Sequence, residues 1–270
     1  AGIIAYIIIL VMRIPLSRMI GDAGIGLLAP AFELYMLTAL LFAYGISRTM
    51  TGLIRYRVKR GQHKNAGKVF RTSLRISLFF GIAAALVMML FSGLLAENLF
   101  LEAMSRKAVF TAAPVVLISA LISTFRGYFN GNGYGPLVTY SQYIEKTAML
   151  IAGIVGGRLY YGYGQKVSAL LKNDMAASAY GAQGVMLGIL AAELLTLIYL
   201  LVVFGFLSGS VKSLSMQDGG RRAESSGEIL GMLLGNGLPM ALFVLLSNSF
   251  MIIDQRFFNY CMNRKELGGI

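Results

Sequence analysis

The sequence of 270 residues predicts an all-α fold, a polytopic transmembrane helix bundle of about seven spans. Three observations predict it. Hydrophobic residues make up 57% of the chain and charged residues only 13%, against about 25% charged in a soluble domain. The apolar residues gather in runs of about 20, the length that carries a helix across about 30 Å of hydrocarbon. Nine of the 24 basic residues crowd between two such runs, from Arg48 to Arg75, the pattern of a cytoplasmic loop. With a mean hydropathy of +0.70, too little polar surface exists to coat a water-soluble globule. An ordinary soluble enzyme, a disordered tail and a nucleic-acid-binding domain are excluded, so the net charge of +12 needs a membrane explanation.

Apolar runs at 3–20, 27–50, 76–96, 107–125, 137–157, 181–207 and 229–253 each predict a span. Arg13 and Arg18 interrupt the first run where a secretory leader is apolar, so it reads as a span with residues missing upstream, not as a cleaved signal. Gly21-Asp22-Ala23-Gly24-Ile25-Gly26 is glycine-rich but joins two membrane helices, which disqualifies it as a strand-to-helix nucleotide turn. The third element begins after the nine-residue basic cluster. That loop, 51–75, is expected to lie in the cytoplasm against anionic lipid headgroups, with His63 solvated inside it. Arg126 is assigned to the loop after the fourth run, and Lys212, Arg221 and Arg222 to the loop after the sixth. The N-terminus is then cytoplasmic and the seventh span ends outside. There is no tryptophan, so Tyr160, Tyr161 and Tyr163 supply an interfacial belt where the fifth span leaves the membrane. The polar segment 158–180 is placed outside. The Gly/Ser-rich segment 209–226 is placed inside, as a linker between structural halves.

One cysteine, Cys261, excludes an internal disulfide, and one histidine leaves no His/Cys metal cluster or nucleophilic triad. Function is therefore sought in charges inside the spans, each costing a few kcal/mol to place there. They are Arg13, Arg18, Glu33, Arg48, Glu145, Lys146 and Glu193, with Lys107 at an edge. Arg13 and Arg18 lie about 140° apart on an ideal helix, an angle that a kink at Pro15 changes. Their guanidinium forks suit a phosphate or diphosphate better than an organic cation. Glu33 and Arg48 line one wall at different depths, roughly 22 Å apart along the axis. Glu145 and Lys146 diverge by about 100°, so one at most points straight inward. Glycines four apart (Gly153 and Gly157, Gly184 and Gly188, Gly227, Gly231 and Gly235) read as close helix packing. Gly235, Gly237 and Pro239 invite a hinge in the seventh span.

These residues resemble a known family. Arg13-Ile14-Pro15-Leu16-Ser17-Arg18-Met19-Ile20-Gly21 through Leu27 is similar to the first-helix signature of the polysaccharide-exporter branch of the MOP superfamily, the SpoVB/MurJ-like lipid-linked oligosaccharide flippases. Ile46-Ser47-Arg48 resembles its second-helix end. Arg126-Gly127-Tyr128-Phe129-Asn130-Gly131, then Pro136, Ser141-Gln142 and Glu145, resembles its fourth-to-fifth-helix stretch, and Gly237-Leu238-Pro239 its seventh-helix opening. The resemblance implies two pseudo-symmetric bundles of about fourteen helices in all. Residues 1–208 would form the N-terminal six-helix bundle, 209–226 a cytoplasmic linker, and 227–270 the first helix of a truncated C-terminal bundle. It also implies Arg13, Arg18 and Arg48 at a substrate diphosphate, with Glu33 and Glu145 as polar residues of the cavity. Asp254 is implied as an ion-coupling candidate. Glu33, Asn130 and Lys146 depart from the family pattern, which has proline and glutamines there.

The function expected is a transporter, not an enzyme. It flips a polyprenyl-diphosphate-linked saccharide, a lipid II-like cell-wall or polysaccharide precursor, across the cytoplasmic membrane by alternating access. An ion gradient or membrane potential drives it, with no cofactor and no metal. Its partners are the lipid-linked saccharide, anionic lipids and the missing C-terminal bundle, and no nucleic acid. Two other readings stand beside it: a MATE-like multidrug/cation antiporter, which Glu33, Glu145 and Glu193 keep open, and a non-transporting scaffold of envelope or spore assembly.

Overall fold

The computed structural model describes residues 2–173, 175–216 and 224–267, with side chains over 14–173, 175–207 and 224–261. Among the described residues every regular element is helical. Helix α1 (Gly2–Leu41) runs directly into a π-helical turn (Phe42–Ser47) and then α2 (Arg48–Lys59). Helix α3 (His63–Leu90) follows, then a connector made of the short α4 (Ser92–Leu94), a π turn (Leu95–Leu99) and a 3₁₀ turn (Ala103–Ser105). Helices α5 (Arg106–Gly131), α6 (Gly135–Leu171), α7 (Met175–Met216) and α8 (Ser226–Leu267) complete the chain.

Five helical stretches among the described residues are long and apolar enough to cross a membrane: Ile14–Lys59, His63–Leu90, Ala103–Gly131, Met175–Leu207 and Ser226–Cys261. The all-α membrane bundle is therefore as expected, but its elements are longer than the apolar runs. The expected first and second spans are one helical stretch. The glycine-rich segment between them is not a loop; the helix breaks at Gly21 alone, with φ 72° and ψ 170°. That backbone region is open only to glycine, so one residue redirects the chain. The second span continues as helix through Arg48, Arg55, Arg57 and Lys59, so part of the basic cluster stands on a helix rather than in a loop. Gly61, at φ 66°, ends it. The expected fifth span is helical, but with Gln142, Glu145 and Lys146 on it, it is not among the five apolar stretches. Segment 158–180, read as an external loop, is helical to Leu171 and again from Met175. Helix α7 extends to Met216, inside the segment read as a linker, of which 217–223 lie outside the described residues.

Packing explains the arrangement. Helices α6 and α7 form the tightest pair, because a Cβ at Gly156, Gly184 or Gly188 would collide with the facing backbone. Small residues permit that approach, and in a bilayer close van der Waals contact is what holds helices together. Of the glycines expected to pack, Gly157, Gly184 and Gly188 do, whereas Gly231 and Gly235 face open space. One buried cluster joins α1, α5 and α7 through Ile20, Leu27, Val116, Val185 and Ile189. A second, nearer the basic end, is built on Met50, Ile54, Phe70, Phe129 and Leu200. There Phe70 stacks on Phe125, Tyr128 and Phe204 with ring centroids 5.6, 4.5 and 5.3 Å apart. Helix α8 leans on the α1–π stretch and on α3. It runs unbroken through Pro239. A Cβ at Gly237 would stand 2.6 Å from the Gly45 carbonyl oxygen, so in this conformation Gly237 serves close packing.

Candidate functional site

Three helices bring charged side chains to one interior point, and a fourth adds a tyrosine. Arg126, read from the sequence as a loop residue, lies on α5, which continues to Gly131. It continues because Gly127 and Gly131 seat the helix against α1–α2: a Cβ at Gly127 would lie 2.6 Å from Ser47 Oγ, and one at Gly131 2.7 Å from Ile54. Arg126 Nη2 pairs with Glu145 Oε2 of α6 at 2.6 Å, and its Nε donates to Ser141 Oγ at 2.8 Å. Lys146 Nζ reaches the other oxygen of Glu145 at 2.5 Å. The two neighbours on α6 thus both turn to the site, since the long lysine stem bends back over the divergence expected of adjacent positions. On α7, Glu193 accepts a hydrogen bond from the Tyr35 hydroxyl of α1 at Oε1, while Oε2 is buried without a partner. Glu145 is 4% exposed and Glu193 1%.

Around these groups lies a chamber of about 150 Å³, lined by Tyr35, Met36, Ala39, Leu40 and Ala43, by Ser119, Ile122, Ser123 and Arg126, and by Glu145, Lys146 and Glu193. Two carboxylates face two cations, so the chamber is neutral with all four ionised. A second, apolar cavity of about 340 Å³ lies against the opposite side of the same helical stretch. Thr38, Leu41, Phe42, Gly45 and Ile46 face it, together with residues of α3 and α8. Spacing near four residues sorts the two sets onto two faces.

The other expected site residues lie elsewhere. The Arg13 side chain is outside the described residues. Arg18 is exposed just before the Gly21 break, and Arg48 is exposed with its guanidinium 5.9 Å from the centroid of the Tyr44 ring. Some 26 helical residues separate Arg48 from the break, about 40 Å of axis, so the two arginines do not share a depth. Glu33 is half-buried on α1 with one carboxylate oxygen unpaired, and it has the exposed Asp254 of α8 as an electrostatic neighbour. Of the expected set, Glu145 alone reaches the chamber. Sequence reading gave Arg126 and Tyr35 no site role; it placed Lys146 with Glu145 at a polar cavity and counted Glu193 among the acidic groups that keep the antiporter reading open.

A separate charged contact joins the basic end to the residues leading into α8. Arg57, 3% exposed, donates from Nε to Glu224 Oε1 and Oε2 at 3.1 and 3.0 Å and from Nη2 to Oε2 at 2.5 Å, while Nη1 reaches the Leu53 carbonyl at 3.1 Å. Lys68 Nζ donates to the Glu224 carbonyl at 2.9 Å, and the Glu224 amide donates to Asn65 Oδ1 at 3.2 Å.

Long apolar helices around a charge-balanced chamber define a multi-pass helical membrane protein. Residues 1–217 match the family described as "Polysaccharide biosynthesis protein", and the chain belongs to that family. It is 26% identical over 206 residues to the stage V sporulation protein B of Bacillus subtilis (strain 168), an alignment covering 76% of this chain and 37% of that relative. The chain thus spans well under half the length of that relative. No solved structure matches. The resemblance drawn from the Arg13–Leu27 and Arg126–Glu145 motifs agrees with the family match.

Proposed function

We propose that this chain is the N-terminal bundle, with the first helix of a second bundle, of a flippase for a polyprenyl-diphosphate-linked saccharide. The observation that carries the reading is the two-faced helical stretch from Tyr35 to Ile46. One face borders a charged chamber and the other a largely apolar cavity. An amphiphile with a polar head and a hydrocarbon tail needs both surfaces side by side, and a purely polar or purely apolar solute needs only one. Membership of a polysaccharide biosynthesis family supports a saccharide head. Arg18 and Arg48, exposed at opposite ends of the path, meet the diphosphate in succession rather than together, with Arg13 as a further diphosphate contact. Rocking of one bundle against the other gives alternating access, and no covalent bond is made or broken. The basic end faces the cytoplasm and its anionic lipid surface.

The test uses the full-length native protein in vesicles holding a fluorescent polyprenyl-diphosphate sugar, with leaflet exposure read by a membrane-impermeant quencher. Flipping by the wild type and its loss in Arg18→Ala/Arg48→Ala, with insertion intact, is the expected outcome. Full flipping by the double variant overturns the assignment. A cation antiporter is the second reading, favoured by Glu33 beside Asp254, the latter then serving ion coupling. Cation-driven dye efflux that ignores both arginines selects it.

A further inference from the structure

Among the described residues two buried polar atoms of the chamber lack a hydrogen bond: Arg126 Nη2, which the ion pair with Glu145 still engages, and one oxygen of Glu193. Glu193 Oε1 is held by Tyr35, and its Oε2 is shut away with no donor. Every charged group facing it is accounted for: Arg126 from α5 and Glu145 and Lys146 from α6 are joined in their own ion pairs, and Tyr35 from α1 already donates. An ionised carboxylate with a bare oxygen inside an apolar bundle is costly, whereas a neutral acid leaves only a carbonyl oxygen bare. What relieves that cost must fit the space. The bare oxygen has no surface that water touches, so neither a sugar hydroxyl nor a hydrated ion reaches it. A metal ion would also face the two cations of the chamber and would find few free oxygens. A proton needs no room and no additional ligands.

We propose that Glu193 is a proton-binding site whose occupancy switches the chamber from neutral to a net charge of +1. The path is set by Tyr35, which lines the chamber and is hydrogen-bonded to Oε1. A proton from hydronium in the chamber joins the Tyr35 oxygen as the hydroxyl proton of Tyr35 passes to Oε1. One O–H bond breaks on Tyr35, one forms on Glu193 and one re-forms on Tyr35, and water is left behind. The neutral Glu193 then no longer offsets Arg126 and Lys146, and the chamber attracts an anionic head at the moment it takes up a proton. This last consequence rests on the flippase reading; the proton site itself does not.

Infrared difference spectroscopy of the full-length protein in nanodiscs, stepped from alkaline to acidic buffer, reads the site directly. A carboxylic acid C=O band at the high frequency of a weakly bonded, buried group is expected to appear on acidification. It should vanish in Glu193→Gln and persist in Glu145→Gln. If Glu193→Gln fails to insert, Tyr35→Phe serves instead, because it keeps the carboxyl but removes its donor and should shift the band and slow its appearance. A band that survives Glu193→Gln, or is indifferent to Tyr35→Phe, overturns the proposal. In the vesicle assay, wild-type flipping should depend on pH and the Glu193→Gln variant should lose that dependence. A wild type that flips nothing removes the flippase reading and leaves the infrared result to decide the proton site.

Discussion

The interior chamber and the Arg57–Glu224 contact are both built from arginine and glutamate partly or wholly withdrawn from solvent, yet they differ in how fully their polar atoms are used. Arg57 spends its donors on Glu224 and on the Leu53 carbonyl, and Glu224 is held again through its own backbone by Lys68 and Asn65. Its carboxylate is about a quarter exposed, at 26%, so water completes what the protein leaves over. In the chamber Glu145 is doubly paired, but Glu193 keeps a bare oxygen that water does not touch. Unused hydrogen-bonding capacity has little meaning at a wet end and much meaning inside a membrane bundle, where no solvent satisfies it. A saturated cluster holds two parts together; an unsaturated one has chemistry left to do.

The largest effect is expected where saturation and burial coincide. Glu145→Ala strands Arg126 and Lys146, both mostly buried, and breaking such a pair costs about 3–5 kcal/mol. Thermal unfolding in detergent should fall accordingly, more than for any surface charge. A drop no larger than that of an exposed variant would mean that Arg126 and Lys146 find other partners, and the chamber would not be the rigid centre described above. Glu193→Gln, by contrast, mimics the protonated form and should cost far less.

That contrast was only partly legible in the sequence. The apolar runs disclosed the helices because length and hydropathy decide whether a segment can span a bilayer. Their ends were hidden, since Arg48 to Lys59 carries no proline and only one glycine, Gly52, too weak a break to end the helix before Gly61, and a helix does not stop where hydrophobicity does. Arg126 was lost for the same reason. The apolar run ends at Phe125, and only the seating of Gly127 and Gly131 on Ser47 and Ile54 carries α5 onward. Glu145 and Glu193 were visible as costly charges inside spans, but their meeting depends on the α6–α7 glycine contacts, a matter of three-dimensional register. Tyr35 gave no signal, because a tyrosine in an apolar run is indistinguishable from core until its hydroxyl has a partner.

A smaller effect is expected at the tightest helix contact. Gly184→Ala places a methyl group in the backbone of α6 beside Gly156, and overpacking of this kind costs about 1–3 kcal/mol. The loss should appear in the unfolding transition and should add to that of Glu224→Ala rather than multiply it, the two lying on separate contacts. Glu224→Ala removes charge-assisted hydrogen bonds of a partly wet pair, about 2 kcal/mol. A double-mutant cycle with Arg57→Ala should return a coupling of that order. A coupling near zero would make the contact incidental, and the comparison with the chamber would lose one of its sides.

The smallest effect on stability is expected at the arginines with the strongest claim on substrate. Arg18 and Arg48 are exposed, and apart from the Tyr44 ring beneath Arg48 no partner is seen for either among the described residues. Exposed substitutions of this type stay within about 0.5 kcal/mol, so Arg18→Ala and Arg48→Ala should unfold with the wild type. A cation kept on an apolar helix without repaying its cost in stability is kept for something that visits. If Arg48→Ala unfolds early, the residue belongs with Arg57 as a structural contact; if it unfolds normally while flipping slows, the charge is reserved for the passing diphosphate. The same pair of measurements on Glu145→Gln should show the reverse order, with stability lost first.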